Sequence, residues 1–286
     1  MKELVIISGK GGSGKTSISS SFISLAKKCV ICDCDVEAPN LHILIKPGIE
    51  ITQDYYGLPK ARIDLETCIE CDRCIDLCRF DAIKDYIVSE DDCEGCSLCS
   101  RICPVDAITM INHVCGQSHQ SKTLYGKMFH AHLGIGEQNS GKLVASLRES
   151  AHRFADKEKE ELIITDGPPG IGCPTIATLT GANLAAIIAE PTMSAIHDML
   201  RTMELCNHFN INHGVIINKS DLNMEKTQEI YEHCQKAGIP VFGEIPFDKS
   251  FRDAINNLLS PVDYSIDIKE IIEPVWEKVK AKLLAE

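Results

Sequence analysis

The chain has 286 residues, 44 % of them hydrophobic and 24 % charged, enough apolar material for one large globular domain, or one domain with a small insert, and too much for a disordered chain. A formal net charge of -12 argues against a nucleic-acid partner, because phosphate backbones draw proteins through clustered Lys and Arg. The apolar run at residues 4–7 is far shorter than a signal-peptide core or a membrane span of about 20 residues, so the chain is expected in the cytoplasm and away from membranes.

In chain order, short β-branched runs at residues 4–8, 29–32, 162–165, 184–189, 214–217 and 240–245 read as buried parallel strands. Helical spacing occupies residues 15–27, 141–155, 194–209, 223–237 and 267–284. The alternation predicts an α/β fold with a doubly wound parallel sheet. It breaks once, where cysteine spacing replaces hydrophobic periodicity, and the chain divides into a first part of the sheet domain (1–58), an insert (59–112) and a second part (113–286). A polar segment at residues 116–141, with Leu124-Tyr125 and Met128-Phe129 around Gly126, reads as an extended or hairpin return to the sheet.

Gly9-Lys10-Gly11-Gly12-Ser13-Gly14-Lys15-Thr16 follows the first predicted strand and precedes the first predicted helix, the context that makes a glycine-rich run a phosphate-binding P-loop. Gly11, Gly12, Ser13 and Gly14 bring backbone N–H groups round phosphate oxygens, Lys15 neutralises the β and γ phosphates, and Thr16 can ligate Mg2+. Asp33 and Asp35 end the second strand, and Asp166 ends the third. That carboxyl edge is where open α/β sheets bind ligands. Asn218-Lys219-Ser220-Asp221 also follows a strand, and Asn218 or Asp221 there can bond a purine edge. Taken alone, this motif favours GTP.

Eight of the fifteen cysteines fall between Cys68 and Cys103, which in a reducing compartment points to metal ligation and not disulfides. Cys68, Cys71, Cys74 and Cys78 have the spacing C-x2-C-x2-C-x3-C. Cys93, Cys96, Cys99 and Cys103 repeat it and are followed by Pro104, which is the bacterial two-cluster ferredoxin pattern. In that pattern the fourth ligand is crossed. One 4Fe-4S cluster takes Cys68, Cys71, Cys74 and Cys103, and the other takes Cys93, Cys96, Cys99 and Cys78. Asp81-Ala82-Ile83 and Asp106-Ala107-Ile108 are a second trace of duplication, and Arg79 stands where the other repeat has Pro104. A pair of zinc knuckles leaves the third cysteine of each run unexplained. Residues 64–111 carry twelve Asp or Glu against four Lys or Arg, an acidic module suited to a basic redox partner.

At Lys10 the sequence resembles the deviant Walker A ATPases of the MinD, Mrp and nitrogenase iron protein type, here with an inserted two-cluster ferredoxin domain. The resemblance implies ATP in preference to GTP. It implies a homodimer on ATP binding in which Lys10 reaches the partner's nucleotide. Asp35 takes the switch I place near the attacking water and Mg2+, Asp166 holds Mg2+ through water, and the glycine after it senses the γ phosphate. Lys10, Lys15, Asp35 and Asp166 are therefore the expected catalytic residues. Cys173 follows Asp166 at the interval of a bridging-cluster ligand in the iron protein, with Cys115 as its one candidate companion, while a packing role for both stays open. The last helix, with Ile271, Ile272, Val275, Trp276, Val279 and Leu283, resembles in position a membrane-targeting tail. Its mixed charges favour packing on the sheet. The histidines, His130, His132 and His197 among them, show no ligand spacing. The function implied is an ATPase that couples nucleotide-driven dimer changes to electron transfer through two 4Fe-4S clusters, toward a redox or iron–sulfur partner protein. The alternatives are a positioning or scaffold ATPase and a cluster-assembly carrier.

Overall fold

The computed structural model describes residues 1–134, 136–137 and 140–285. They form two compact units: Met1–Thr52 with Ser118–His132 and Ser140–Glu286, and Gln53–Gln117 with Leu133–Asn139.

The first unit is built on a nine-stranded sheet with the order Val241–Ile245, His213–Asn218, Leu184–Ala189, Lys2–Ser8, Leu162–Pro169, Val30–Asp33, Lys127–Leu133, Val114–Lys122 and Gly48–Tyr56. Every pairing from Val241–Ile245 across to Lys127–Leu133 is parallel. The middles of the central strands, such as residues 4–7 and 184–189, are apolar because helices cover both faces. In Lys2–Ser8, Leu4 and Ile6 enter one core with Phe22, Ile164 and Trp276, while Val5 and Ile7 enter the other with Ile187, Met199 and Val215. The last helix, Ile266–Ala285, buries Ile268, Ile272, Val275, Trp276, Val279 and Leu283. Trp276 packs on Phe22 with ring centroids 5.1 Å apart. Among the described residues no helix is long and apolar enough to cross a membrane.

Three strands lie beyond the six that the apolar pattern marks: Gly48–Tyr56, Val114–Lys122 and Lys127–Leu133. Residues 116–141 do return as a hairpin, turning where Thr123 N donates to Gly126 O at 2.9 Å. Within that segment Ile135, Gln138 and Asn139 lie outside the described residues. Its strands alternate His, Ser and Gln with small or apolar residues, so no continuous apolar run announces them. The sheet is consequently parallel-dominant and mixed.

The second unit contains two small ribbons. Lys60–Ile63 pairs antiparallel with Ile108–Ile111, and Ile83–Lys84 with Ile87–Val88. Two one-turn helices, Arg73–Asp76 and Leu98–Ile102, stand at equivalent places in the two cysteine repeats. Residues 59–112 lie within this unit.

Candidate functional site

The P-loop runs from the end of Lys2–Ser8 to the start of helix Lys15–Ala26. Gly14 sits at φ +85°, and a Cβ there would come within 2.3 Å of Asn218 Nδ2, so both the turn and its neighbour require glycine. Asn218, buried at the end of its strand, donates through Nδ2 to Ser13 O at 2.8 Å. Asp221 accepts from Phe247 N at 2.6 Å. Both side chains named for a purine edge are thus engaged with the protein. Asn218 clamps the P-loop, and Asp221 fixes the turn after Val241–Ile245.

Lys15 and Asp166 are the buried pair of the site, with Nζ 2.9 Å from Oδ1. Burial works to lower the Lys15 pKa, but the charge and hydrogen bond of Asp166 outweigh it and the ammonium is held above its ordinary value. Thr16 Oγ1 donates to Asp166 Oδ2 at 2.9 Å, and Ser19 Oγ donates to Oδ1 at 2.7 Å. Ser19 was not visible as a site residue. It stands one turn beyond Thr16 on the same helix face, and its signal is lost in a run of serines. Asp35 is half-buried. It lines an open pocket of about 1190 Å³ together with Gly11–Ser17, Asn40 and Pro169. Burial pushes its carboxyl up, and Lys15 opposes that rise. Asp33 is fully buried and pushed well above the carboxylate range by burial and by Asp166. Among the described residues Asp33 Oδ2 and the Ser13 hydroxyl are buried without a hydrogen-bond partner, which leaves polar capacity unspent where nucleotide and Mg2+ chemistry is expected. Lys10 is exposed, its Nζ 3.3 Å from Ser194 Oγ. Beside the P-loop a second pocket of about 830 Å³ is lined by Gly12, Gly14, Asn218, Lys219, Phe247 and Arg252.

In the second unit the eight cysteines line two cavities. One, of about 330 Å³, is lined by Cys68, Cys71, Cys74 and Cys103. Another, of about 420 Å³, is lined by Cys78, Cys93, Cys96 and Cys99, and Cys74 lines it as well. The loops repeat in backbone conformation too. Glu70, Asp72 and Asp81 have positive φ in the first repeat, and Gly95, Ser97 and Asp106 have it at the matching places of the second. Such turns point successive N–H groups inward, forming the anion-binding concavities typical of iron–sulfur sites. Glu70 N already donates to Cys68 Sγ at 3.5 Å and Ala107 N to Cys103 Sγ at 3.3 Å. Among the described residues no three His, Cys, Asp or Glu side chains converge on a single ion. Eight thiols lining two cavities beside these turns are a donor set that fits 4Fe-4S clusters. Burial pushes the Cys74 and Cys99 thiols up, so binding iron displaces their protons.

Cys173 is exposed at the start of helix Cys173–Leu179 in the first unit. Cys115 is buried in the second unit, where a Cβ on Gly57 would meet its Sγ at 2.7 Å. Cys115 fills packing space, and burial holds its thiol above the ordinary value.

The P-loop, its facing aspartate and the parallel sheet define a P-loop nucleotide-binding protein. Residues 4–262 match the CobQ/CobB/MinD/ParA nucleotide-binding domain, and the chain belongs to this family. The protein MJ0578 of Methanocaldococcus jannaschii is 35 % identical over 283 residues, covering 97 % of this chain and 96 % of that one. Pyruvate synthase subunit PorD of Methanothermobacter marburgensis is 42 % identical over 52 residues, 18 % of this chain and 64 % of that protein, which supports an iron–sulfur domain of ferredoxin type. Among solved structures, the septum site-determining protein MinD of Pyrococcus horikoshii, complexed with Mg-ADP, matches with a TM-score of 0.58 and 16 % identity over 97 % of this chain and 95 % of that one. That likeness speaks for the fold.

Proposed function

We propose that this protein is an ATP-hydrolysing iron–sulfur protein in which nucleotide-driven switch and dimer changes control electron transfer through two 4Fe-4S clusters. The observation that carries the reading is the grip of Lys15, Thr16 and Ser19 on Asp166 in a chain whose second unit divides eight thiols between two cavities. ATP phosphates would compete with Asp166 for Lys15, so nucleotide arrival changes the partner of a buried charge at the end of strand Leu162–Pro169. Mg2+, held by Thr16 and, through water, Asp166, would neutralise charge on the β and γ oxygens. Asp35, half-buried on the phosphate pocket, orients the attacking water, and the purine fits the pocket beside Asn218 and Phe247. Lys10, exposed and bonded through Nζ to Ser194 among the described residues, would serve the nucleotide of a second copy across a homodimer. Each cluster supplies storage for one electron, the first on Cys68, Cys71, Cys74 and Cys103 and the second on Cys93, Cys96, Cys99 and Cys78.

ATP turnover by the cluster-loaded protein, measured anaerobically with the clusters reduced and then oxidised, tests this reading. The two rates should differ, and Lys10→Ala should lower turnover about 100-fold while nucleotide still binds, as removal of a transition-state charge partner does. Equal rates in both redox states, with clusters passing readily to an apo-acceptor protein, would instead favour a cluster carrier.

A further inference from the structure

Four histidines gather in the first unit, outside the nucleotide site. His130 and His132 stand two apart on Lys127–Leu133, so they share one face of the sheet. His119 comes from the neighbouring strand Val114–Lys122, its ring centroid 5.0 Å from that of His130 and 5.4 Å from that of His132. Three imidazoles bound to one tetrahedral ion at 2.0–2.1 Å have centroids about 5 Å apart, the same spacing. His119 Nε2 and His132 Nδ1 lie 3.4 Å apart, within hydrogen-bond reach of each other.

The far sides of two rings are held. His119 Nδ1 is 3.0 Å from Thr52 Oγ1, and His130 Nε2 is 2.8 Å from Ser121 Oγ. A metal-bound histidine uses its second nitrogen in this way, which fixes tautomer and orientation and assigns His119 Nε2 and His130 Nδ1 to the ion. His119 and His130 are 8 % and 7 % exposed. No three donors yet converge among the described residues, so an ion draws in the exposed His132 by side-chain rotation. His42, on the short helix Leu41–Ile45, stacks on His130 at 6.4 Å and joins the cluster to the segment that follows Asp35.

We propose that His119, His130 and His132 form a mononuclear site for a zinc-class transition ion, with water as the fourth ligand and Thr52 and Ser121 as orienting partners. Neutral imidazole selects such ions over Mg2+ and Ca2+.

The test is an anaerobic titration of the full, cluster-loaded chain with Zn2+ against a chromophoric chelator, with iron counted before and after. One Zn2+ should bind with iron unchanged. His132→Gln, at an exposed position, should abolish that binding at micromolar zinc. Thr52→Val should weaken it about 10- to 100-fold, as losing an orienting partner does, with the melting temperature of both variants unchanged. If the parent protein takes up no more zinc than His132→Gln, or if zinc enters only as iron leaves, the site does not exist.

Discussion

Asp166 is the residue on which the nucleotide site turns. It faces the buried Lys15 and accepts from two hydroxyls one helical turn apart, so when Lys15 moves to a phosphate, Ser19 still holds Oδ1 in place. On the proposed reading Ser19 is thus a positioning residue for a carboxylate that would hold Mg2+ through water. A hydrogen bond to a charged group contributes about 1.5–3 kcal/mol. Ser19→Ala should therefore raise the Mg2+ concentration for half-maximal turnover at least tenfold while ATP affinity without Mg2+ is unchanged; an equal loss in both would mark Ser19 as mere packing. Glu3 is the other buried charge that decides something. Burial works to raise its pKa, but hydrogen bonds from His152 and Arg148, with the Arg148 charge, hold it at about 2 instead of 4.5. Its contribution is on the order of 3 kcal/mol. A depressed carboxylate gives that stability in full above about pH 4.5 and loses it as pH falls toward about 2. Denaturant melts of the parent should weaken across that window, and those of Glu3→Gln should be weaker at pH 7 with a flatter acid limb.

At the level of elements, the cysteine loops were legible because their spacing is itself the chemistry: three thiols on one turn and a fourth from the other repeat admit few alternatives. The parallel strands were legible because a strand covered on both faces carries a continuous apolar run, as residues 4–7 and 184–189 do. The hairpin of Val114–Lys122 and Lys127–Leu133 was legible as a return around Gly126, but its strand bounds were not, since His119, Ser121, His130 and His132 interrupt the apolar pattern. Their pairing, which brings the histidines together, depends on contacts distant in sequence. Asn218 shows the same limit: its position at a strand end was readable, its grip on Ser13 was not. The second unit makes a prediction at this scale. Its core is little more than Ala61, Ala82, Ile83 and Ile108 with the cysteines themselves, too small to hold a fold unaided. Cys71→Ala or removal of iron should expose the module to limited proteolysis around residues 65–105 while nucleotide binding persists. Protease resistance in the iron-free chain would mean that the clusters do not support the fold.

At the scale of the whole molecule, one chain combines a P-loop domain with a module bearing two thiol-lined cavities, and the module leaves the sheet domain after the segment carrying Asp35 and returns before Asp166. Chain order ties both ends of the insert to the segments proposed to respond to nucleotide. On the proposed reading Lys10 acts across two copies: ATP should convert monomer to dimer in light scattering, and Lys10→Ala should remain monomeric with ATP present. The central claim is that ATP and the clusters are coupled. Its most direct measurement is EPR of the anaerobically purified, reduced protein with and without Mg2+ and ATP, accompanied by iron and sulfide counts. The account predicts about eight irons per chain on two 4Fe-4S clusters, with spectra that change when MgATP is added and do not change in Lys15→Ala. Zinc or no iron in place of clusters, or spectra indifferent to MgATP, would contradict it.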